Sequence, residues 1–203
     1  MQRLGVRVLL MFFGAVTAAS AASPLAPEQR GYVGASAGRA DLRSACEGVP
    51  VSCDDKDTAA RIFVGAQFGR SGALELGYAD LGKAQASGAV SGASVSADAK
   101  VTAWDVVAVA LHPVSERLSL LGKLGLYQAE TKVSGSAAIA GFSASASAGD
   151  SNTGLTFGLG AMYDFTRHIA ARAEWQRYLK VGGENSGGRS NVDFFSVGAL
   201  VKF

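Results

Sequence analysis

Two histidines, two cysteines and a few clustered carboxylates are the residues of this sequence whose types suit chemistry. Hydrolysis or group transfer needs a base beside a nucleophile or an acid, and His112 and His168 are the imidazoles available for it. Both fall in short turns. Asp164 lies near His168 in sequence, but neither histidine gains a Ser or Asp partner in a shared pocket. The stretch 143–151 offers serine hydroxyls without a base. No catalytic residue is assigned, and the chain reads as a non-enzyme. Residues 183–190, Gly-Glu-Asn-Ser-Gly-Gly-Arg-Ser, approach a phosphate-binding loop. Arg189 stands where Lys is required, however, and no helix follows to present amide groups, so the segment is expected to be a flexible hairpin loop. Cys46 and Cys53 have six residues between them. In an exported chain such a pair is expected to close a small surface loop as a disulfide, and without a nearby His it makes a poor zinc site. Asp54, Asp55 and Asp57 follow and read as a solvated charge run rather than a calcium site. Neither metal nor cofactor is expected.

The elements that must position these residues follow from composition and period. The chain has 203 residues, 48% apolar and 18% charged, with 26 glycines. That is one domain's length. Charge is too low for disorder. Residues 1–22 begin with Arg3 and Arg7, run apolar over 8–19 and end in Ala-Ser-Ala-Ala, the pattern of a signal peptide cleaved after Ala22. No Cys follows that site to take a lipid anchor. Beyond it no apolar run approaches the roughly 20 residues of a membrane-spanning helix. The segment carries two arginines and no acid. It accounts for the excess of 19 basic over 17 acidic residues, so the mature domain, 23–203, is neutral and no nucleic-acid partner is implied.

Alternation with period two dominates that domain. Phe195, Val197, Ala199, Val201 and Phe203 share one face, with Ser196, Gly198, Leu200 and Lys202 on the other. Leu155, Phe157, Leu159, Ala161 and Tyr163 oppose Thr156, Gly158, Gly160 and Met162. Ile169, Ala171, Ala173 and Trp175 oppose Arg172, Glu174 and Gln176. The same rhythm runs through 60–68, 74–79 and 118–127, weakly through 31–39. In 100–111 Trp104 and Val106 compete with Val107 and Val109, and the face stays unassigned. Eight strands result, joined alternately by long connections (40–57, 83–99, 132–152, 181–191) and short ones (69–72, 112–117, 164–168). The stretch 133–149 is either extended strand ends or a loop.

An even count of strands, long connections at one end and short turns at the other describe an outer-membrane barrel. A soluble sandwich also alternates, but its solvated face carries more Lys, Glu and Thr. Here the second face is Gly, Ala and Ser with isolated charges at Glu75, Lys123, Arg172 and Glu174, which suits the narrow interior of an eight-stranded barrel. Tyr78, Trp104, Tyr163, Phe165, Trp175 and Phe203 lie near strand ends, where aromatic girdles belong. The fold expected is all-β: an eight-stranded antiparallel up-and-down transmembrane barrel in a Gram-negative outer membrane.

Several segments carry a family resemblance. Leu74-Glu75-Leu76-Gly77-Tyr78 with Asp80-Leu81-Gly82-Lys83 is similar to the third strand of OmpA-type transmembrane domains. So are Lys123-Leu124-Gly125 and Arg172-Ala173-Glu174-Trp175-Gln176 on later strands. Ser196, Gly198, Val201 and Phe203 resemble the terminal signal read by the barrel assembly machinery. The resemblance implies an interior ionic network, with Glu75 and Glu174 as acids and Lys123 and Arg172 as bases. The residue pattern agrees, since all four share the inward parity and charges in a narrow lumen must pair. Two-domain members of that family continue into a peptidoglycan-binding domain, and no such segment follows Phe203 here, so a cell-wall tether is not expected. The function expected is structural, supporting envelope integrity and displaying four surface loops. A small low-conductance pore and an adhesin-like module working through the loops are the alternatives. Outer-membrane lipid and lipopolysaccharide are the expected surroundings, the assembly machinery a partner in biogenesis, and a monomer the expected state.

Overall fold

The structure, a computed structural model, describes residues 29–42, 52–54, 56–69, 71–90, 93–139, 142–183 and 188–203. Residues 1–22, expected to be a signal peptide, and Cys46 of the expected disulfide lie outside these residues. The strands are β1 (Gln29–Leu42), β2 (Ser52–Asp54), β3 (Lys56–Phe68), β4 (Gly72–Val90), β5 (Ala93–Pro113), β6 (Leu118–Ile139), β7 (Phe142–Asp164), β8 (Ile169–Gly183) and β9 (Gly188–Lys202). Each pairs antiparallel with its neighbour. β1 meets β9 from Tyr32↔Lys202 to Leu42↔Val192, which closes the ring. Closure is what lipid demands, because it offers no partner to the amides of an open edge. Eight strands are staves; β2 is a three-residue addition paired to 85–87 of β4.

Short turns gather at one end. At 114–117 the Val114 amide donates to the Leu118 carbonyl over 2.8 Å, and at 165–168 the Phe165 amide donates to the Ile169 carbonyl over 3.0 Å. The lipid face carries Leu76, Leu124, Leu126, Leu155 and Leu159, all well exposed. Aromatic pairs mark both ends of that band: Tyr163 and Phe165 by the turns, with ring centroids 5.2 Å apart, and Tyr78 and Trp104 at the other end, 4.8 Å apart. The segment left unassigned resolves here. Trp104 and Val106 face lipid, while Asp105, Val107 and Val109 are buried in the lumen.

The connections differ from expectation. β4 continues to Val90 and β5 starts at Ala93; β6 continues to Ile139 and β7 starts at Phe142. So 83–99 and 132–152, expected as long connections, are mostly strand, and of the two readings of 133–149 the structure shows the extended strand ends. In the same way 188–190, expected as part of a flexible hairpin, opens β9. Ser and Ala alternate through this region without a proline, so each strand keeps its ladder bonds with small side chains on both faces. The result is a wall. β4 to β7 have 19, 21, 22 and 23 residues, against 14, 13, 15 and 15 in β1, β3, β8 and β9. Among the described residues, β7 has no ladder partner on its β8 side before Thr156.

Two bulges sit where the barrel rim gives way to this wall. Between Asp80 and Lys83 the backbone turns through Gly82 at φ 78°, a conformation glycine adopts without cost. The Gly82 amide donates to Asp80 and the Lys83 amide to Asp57. Between Tyr178 and Val181 it is Lys180 that takes φ 59°. There the Asn152 amide donates to the Lys180 carbonyl over 2.7 Å and accepts from the Gly182 amide over 3.1 Å.

Candidate functional site: the barrel lumen

The inward parity of the staves brings one charged residue after another to the same depth. Arg61 on β3 is flanked by Glu75 on β4 and Asp105 on β5. Lys123 comes from β6, and Arg172 and Glu174 from β8. All six are buried. Arg61 forms a fork on Asp105, Nη2 to Oδ1 at 2.6 Å and Nε to Oδ2 at 3.1 Å, and its Nη1 lies 3.4 Å from Glu75. Arg172 Nη1 is 2.5 Å from Glu75 Oε1, and its Nε is 3.2 Å from Glu174. Lys123 Nζ sits between both acids, 2.7 Å from Glu174 and 3.1 Å from Glu75. Three cations therefore face three anions. Each charge has an opposite partner on another strand, the condition under which a dry lumen tolerates them.

Neutral groups complete the layer. The Tyr32 hydroxyl donates to Glu75 over 2.7 Å, and the Tyr178 hydroxyl to Asp105 over 2.9 Å. Gln176 donates to Thr156 over 3.0 Å. The Phe63 ring lies beneath the cations, with the Arg172 guanidinium carbon 4.0 Å from its centroid. Room for the Arg61 side chain comes from Gly77, where a methyl group would stand 2.6 Å from Arg61 Nε.

Apolar layers cap the charges on both sides. Toward the wall, Leu81, Val101, Tyr127, Tyr178, Val192 and Phe194 pack together. Toward the turns, Tyr32, Phe63, Val107, Val109, Leu121, Met162 and Leu200 do the same. A void left between Tyr32, Val109, Met162, Arg172 and Leu200 has about 10 Å³, at the lower limit of what one water needs. At the level of the charged layer, buried side chains of the described residues pack the lumen from both sides.

Glu75, Lys123, Arg172 and Glu174, the residues singled out by parity and resemblance, all lie in this layer. Sequence reading missed Arg61, Asp105, Tyr32, Tyr178 and Gln176. Arg61 shared the inward parity with Phe63. Asp105 was hidden by the unassigned face of 100–111. Of the terminal set, Ser196 and Gly198 face inward while Val201 and Phe203 face outward. Phe203 closes the ring, exchanging two backbone bonds with Gly31. His168 is exposed at the turn end, its ring Nδ1 3.1 Å from the Lys202 carbonyl, and His112 is likewise exposed near a turn. Neither joins the buried layer. Among the described residues no cluster of His, Cys, Asp and Glu is arranged to hold a metal.

Above the membrane band the wall is built differently. Lys83, Lys100 and Lys132 stand abreast on its outer face, with Lys100 2.9 Å from Asp80 and Lys132 3.1 Å from Glu130. The bond to Asp80 raises the Lys100 pKa above its ordinary value. Beyond them Ser87, Ser96, Ser136 and Ser145 align across four strands, and the Ser96 and Ser136 hydroxyls are 2.8 Å apart.

A family model described as the OmpA-like transmembrane domain matches residues 27–203. Among solved structures, the chain is similar to Ail, the attachment invasion locus protein of Yersinia pestis, at 16% identity and TM-score 0.52, covering 88% of this chain and all of that one. Neisserial surface protein A is similar at 16% identity and TM-score 0.54, covering 86% of this chain and 97% of that one. The N-terminal β-barrel domain of Pseudomonas aeruginosa OprF is similar at 13% identity and TM-score 0.50, covering 87% and 98%. At these identities the likeness is one of fold. A search of curated proteins returned no match.

Proposed function

The chain belongs to the OmpA-like transmembrane domain family and is an integral outer-membrane β-barrel, and on that premise we propose that it works as a closed structural barrel that carries a surface wall rather than as a pore. The observation that supports this reading is the layer of six paired charges, capped on both sides by apolar side chains. An ion crossing it has to displace salt bridges in a low-dielectric interior. In planar bilayers the refolded chain is expected to give no steady single-channel current, and a deletion strain to leak periplasmic contents. A stable open current in the wild type would refute the closed reading.

The four long staves favour a second role. They hold a sheet of small side chains well outside the lipid band, a surface for loop-mediated binding of the adhesin-like kind. Excising 133–148 should abolish such binding while leaving the barrel folded. The reading assigns no catalysis. It takes 1–22 as a cleaved signal peptide and Cys46–Cys53 as a disulfide. It takes Ser196, Gly198, Val201 and Phe203 as the signal for the assembly machinery, and the mature chain as a monomer among outer-membrane lipids. Thiol labelling of the unreduced, denatured protein tests the disulfide: two labelled cysteines would refute it.

A further inference from the structure

We propose that a furrow on the lipid face of β1 seats one acyl chain of a phosphorylated glycolipid of the outer leaflet, with Arg39 holding its phosphate. The proposal rests on the outer-membrane reading and names a partner for the outside of the barrel. Most of the lipid face is built from large side chains such as Leu76, Leu124 and Leu159. Around β1, β8 and β9 large side chains such as Val33, Ile169, Phe195 and Val197 are interspersed with alanines. Ala171, Ala199 and Ala35 lie in one row across three strands, and Ala173, Val197 and Ala37 in the next. The following row, toward the outer end, is Trp175, Phe195 and Arg39. Phe195 and Val197 stand out as a ridge above the alanine floor. A shallow, open depression of about 500 Å³ with a mostly apolar lining crosses Ala37 and Arg39 of β1, Phe195 and Val197 of β9, and Ala173 and Trp175 of β8.

Within lipid an apolar trough has no hydrophobic drive to fill, so occupancy depends on packing contacts and charge. Arg39 supplies the charge. It is exposed, it lines the depression, and among the described residues no carboxylate holds it. Arg177, at a similar height, is already committed, with two bonds of 2.6 and 2.8 Å to Asp193 and its guanidinium over the Trp175 ring. A guanidinium beside a membrane-interface aromatic row lies where a lipid phosphate is found, and it meets phosphate through charge-assisted, bidentate bonds. β1 runs Val33, Ala35, Ala37, Arg39 along that face, an apolar track ending in a cation, which matches an acyl chain ending in a phosphate. A second copy of this chain in the same membrane fits less well, since a two-fold axis along the membrane normal would bring the two Arg39 side chains to the same height.

The test is native mass spectrometry of the refolded full chain in detergent with bis-phosphorylated lipid A, its dephosphorylated form, and phosphatidylglycerol. One lipid A per chain should be retained. Arg39→Gln, and separately Ala37→Leu to fill the furrow, should each lower the retained fraction about tenfold, the effect of losing one charge-assisted bond or its equivalent in packing. Lys100→Gln, a cation outside the furrow, should change nothing. Retention by R39Q and A37L equal to that of wild type, or binding of dephosphorylated lipid A equal to that of lipid A, would overturn the proposal. So would a dimer that A37L abolishes. Heat-modifiable migration preserved in every variant separates failure of the furrow from failure of the barrel reading.

Discussion

The lumen and the wall above it are made by the same strands, yet they are built on opposite terms. In the lumen, Arg61, Glu75, Asp105, Lys123, Arg172 and Glu174 each meet an opposite charge contributed by another strand, and apolar layers seal them on both sides. In the wall, Ser87, Ser96, Ser136 and Ser145 and their neighbours are exposed and take little from one another beyond the ladder bonds of the backbone. The difference teaches where tolerance lies. A lumen side chain answers to partners on other strands, four of them for Glu75, whereas a wall side chain answers mainly to strand propensity. Stability is concentrated below and freedom to vary a binding surface above.

That contrast can be broken most strongly at Glu75. Glu75→Ala leaves three buried cations, Lys123, Arg172 and Arg61, against two acids, Glu174 and Asp105, and unfolding in urea should show a loss of about 3–5 kcal/mol, the cost of leaving a buried charge uncompensated. Arg61→Ala should fall in the same range because it strips Asp105 of its fork. Gly77→Ala is expected to cost about 1–3 kcal/mol by pushing the Arg61 guanidinium off Asp105, an overpacking effect measurable in the same titration. Asn152→Ala, which removes the clasp on the Lys180 bulge at the border between the two regions, should cost about 1 kcal/mol. Ser136→Ala in the wall should lie within about 0.5 kcal/mol of wild type. If the wall substitution proved as costly as the lumen ones, the division between the two regions would fail.

How far the sequence foretold this molecule depends on which signal each residue carries. Alternation exposed the staves and their lipid face because a barrel in lipid needs a large apolar residue at every second position, and Leu155, Phe157 and Leu159 leave no ambiguity. Glu75, Lys123, Arg172 and Glu174 were legible because a charge on the face turned away from lipid belongs to the lumen. Asp105 was not, since Val107 and Val109 fill the lumen with side chains as apolar as Trp104 and Val106 on the lipid side, and period two then has no contrast to reveal. At 133–149 the sequence leaves the wall undecided between strand ends and loop, for a related reason. Ser-Ala alternation resembles a loop in composition, and its strand character comes from neighbours held in register, which a single segment does not display. The furrow at Ala35 and Ala37 had no sequence signal of its own, because it exists only where alanines of three strands fall into line.

The central claim is that paired charges close the lumen, and single-channel recording in planar bilayers tests it most directly. Wild type should stay silent, and Glu75→Ala, by leaving Lys123 and Arg172 with Glu174 as their remaining acid, should open measurable current. An open wild-type channel whose conductance is indifferent to Glu75 would contradict the account.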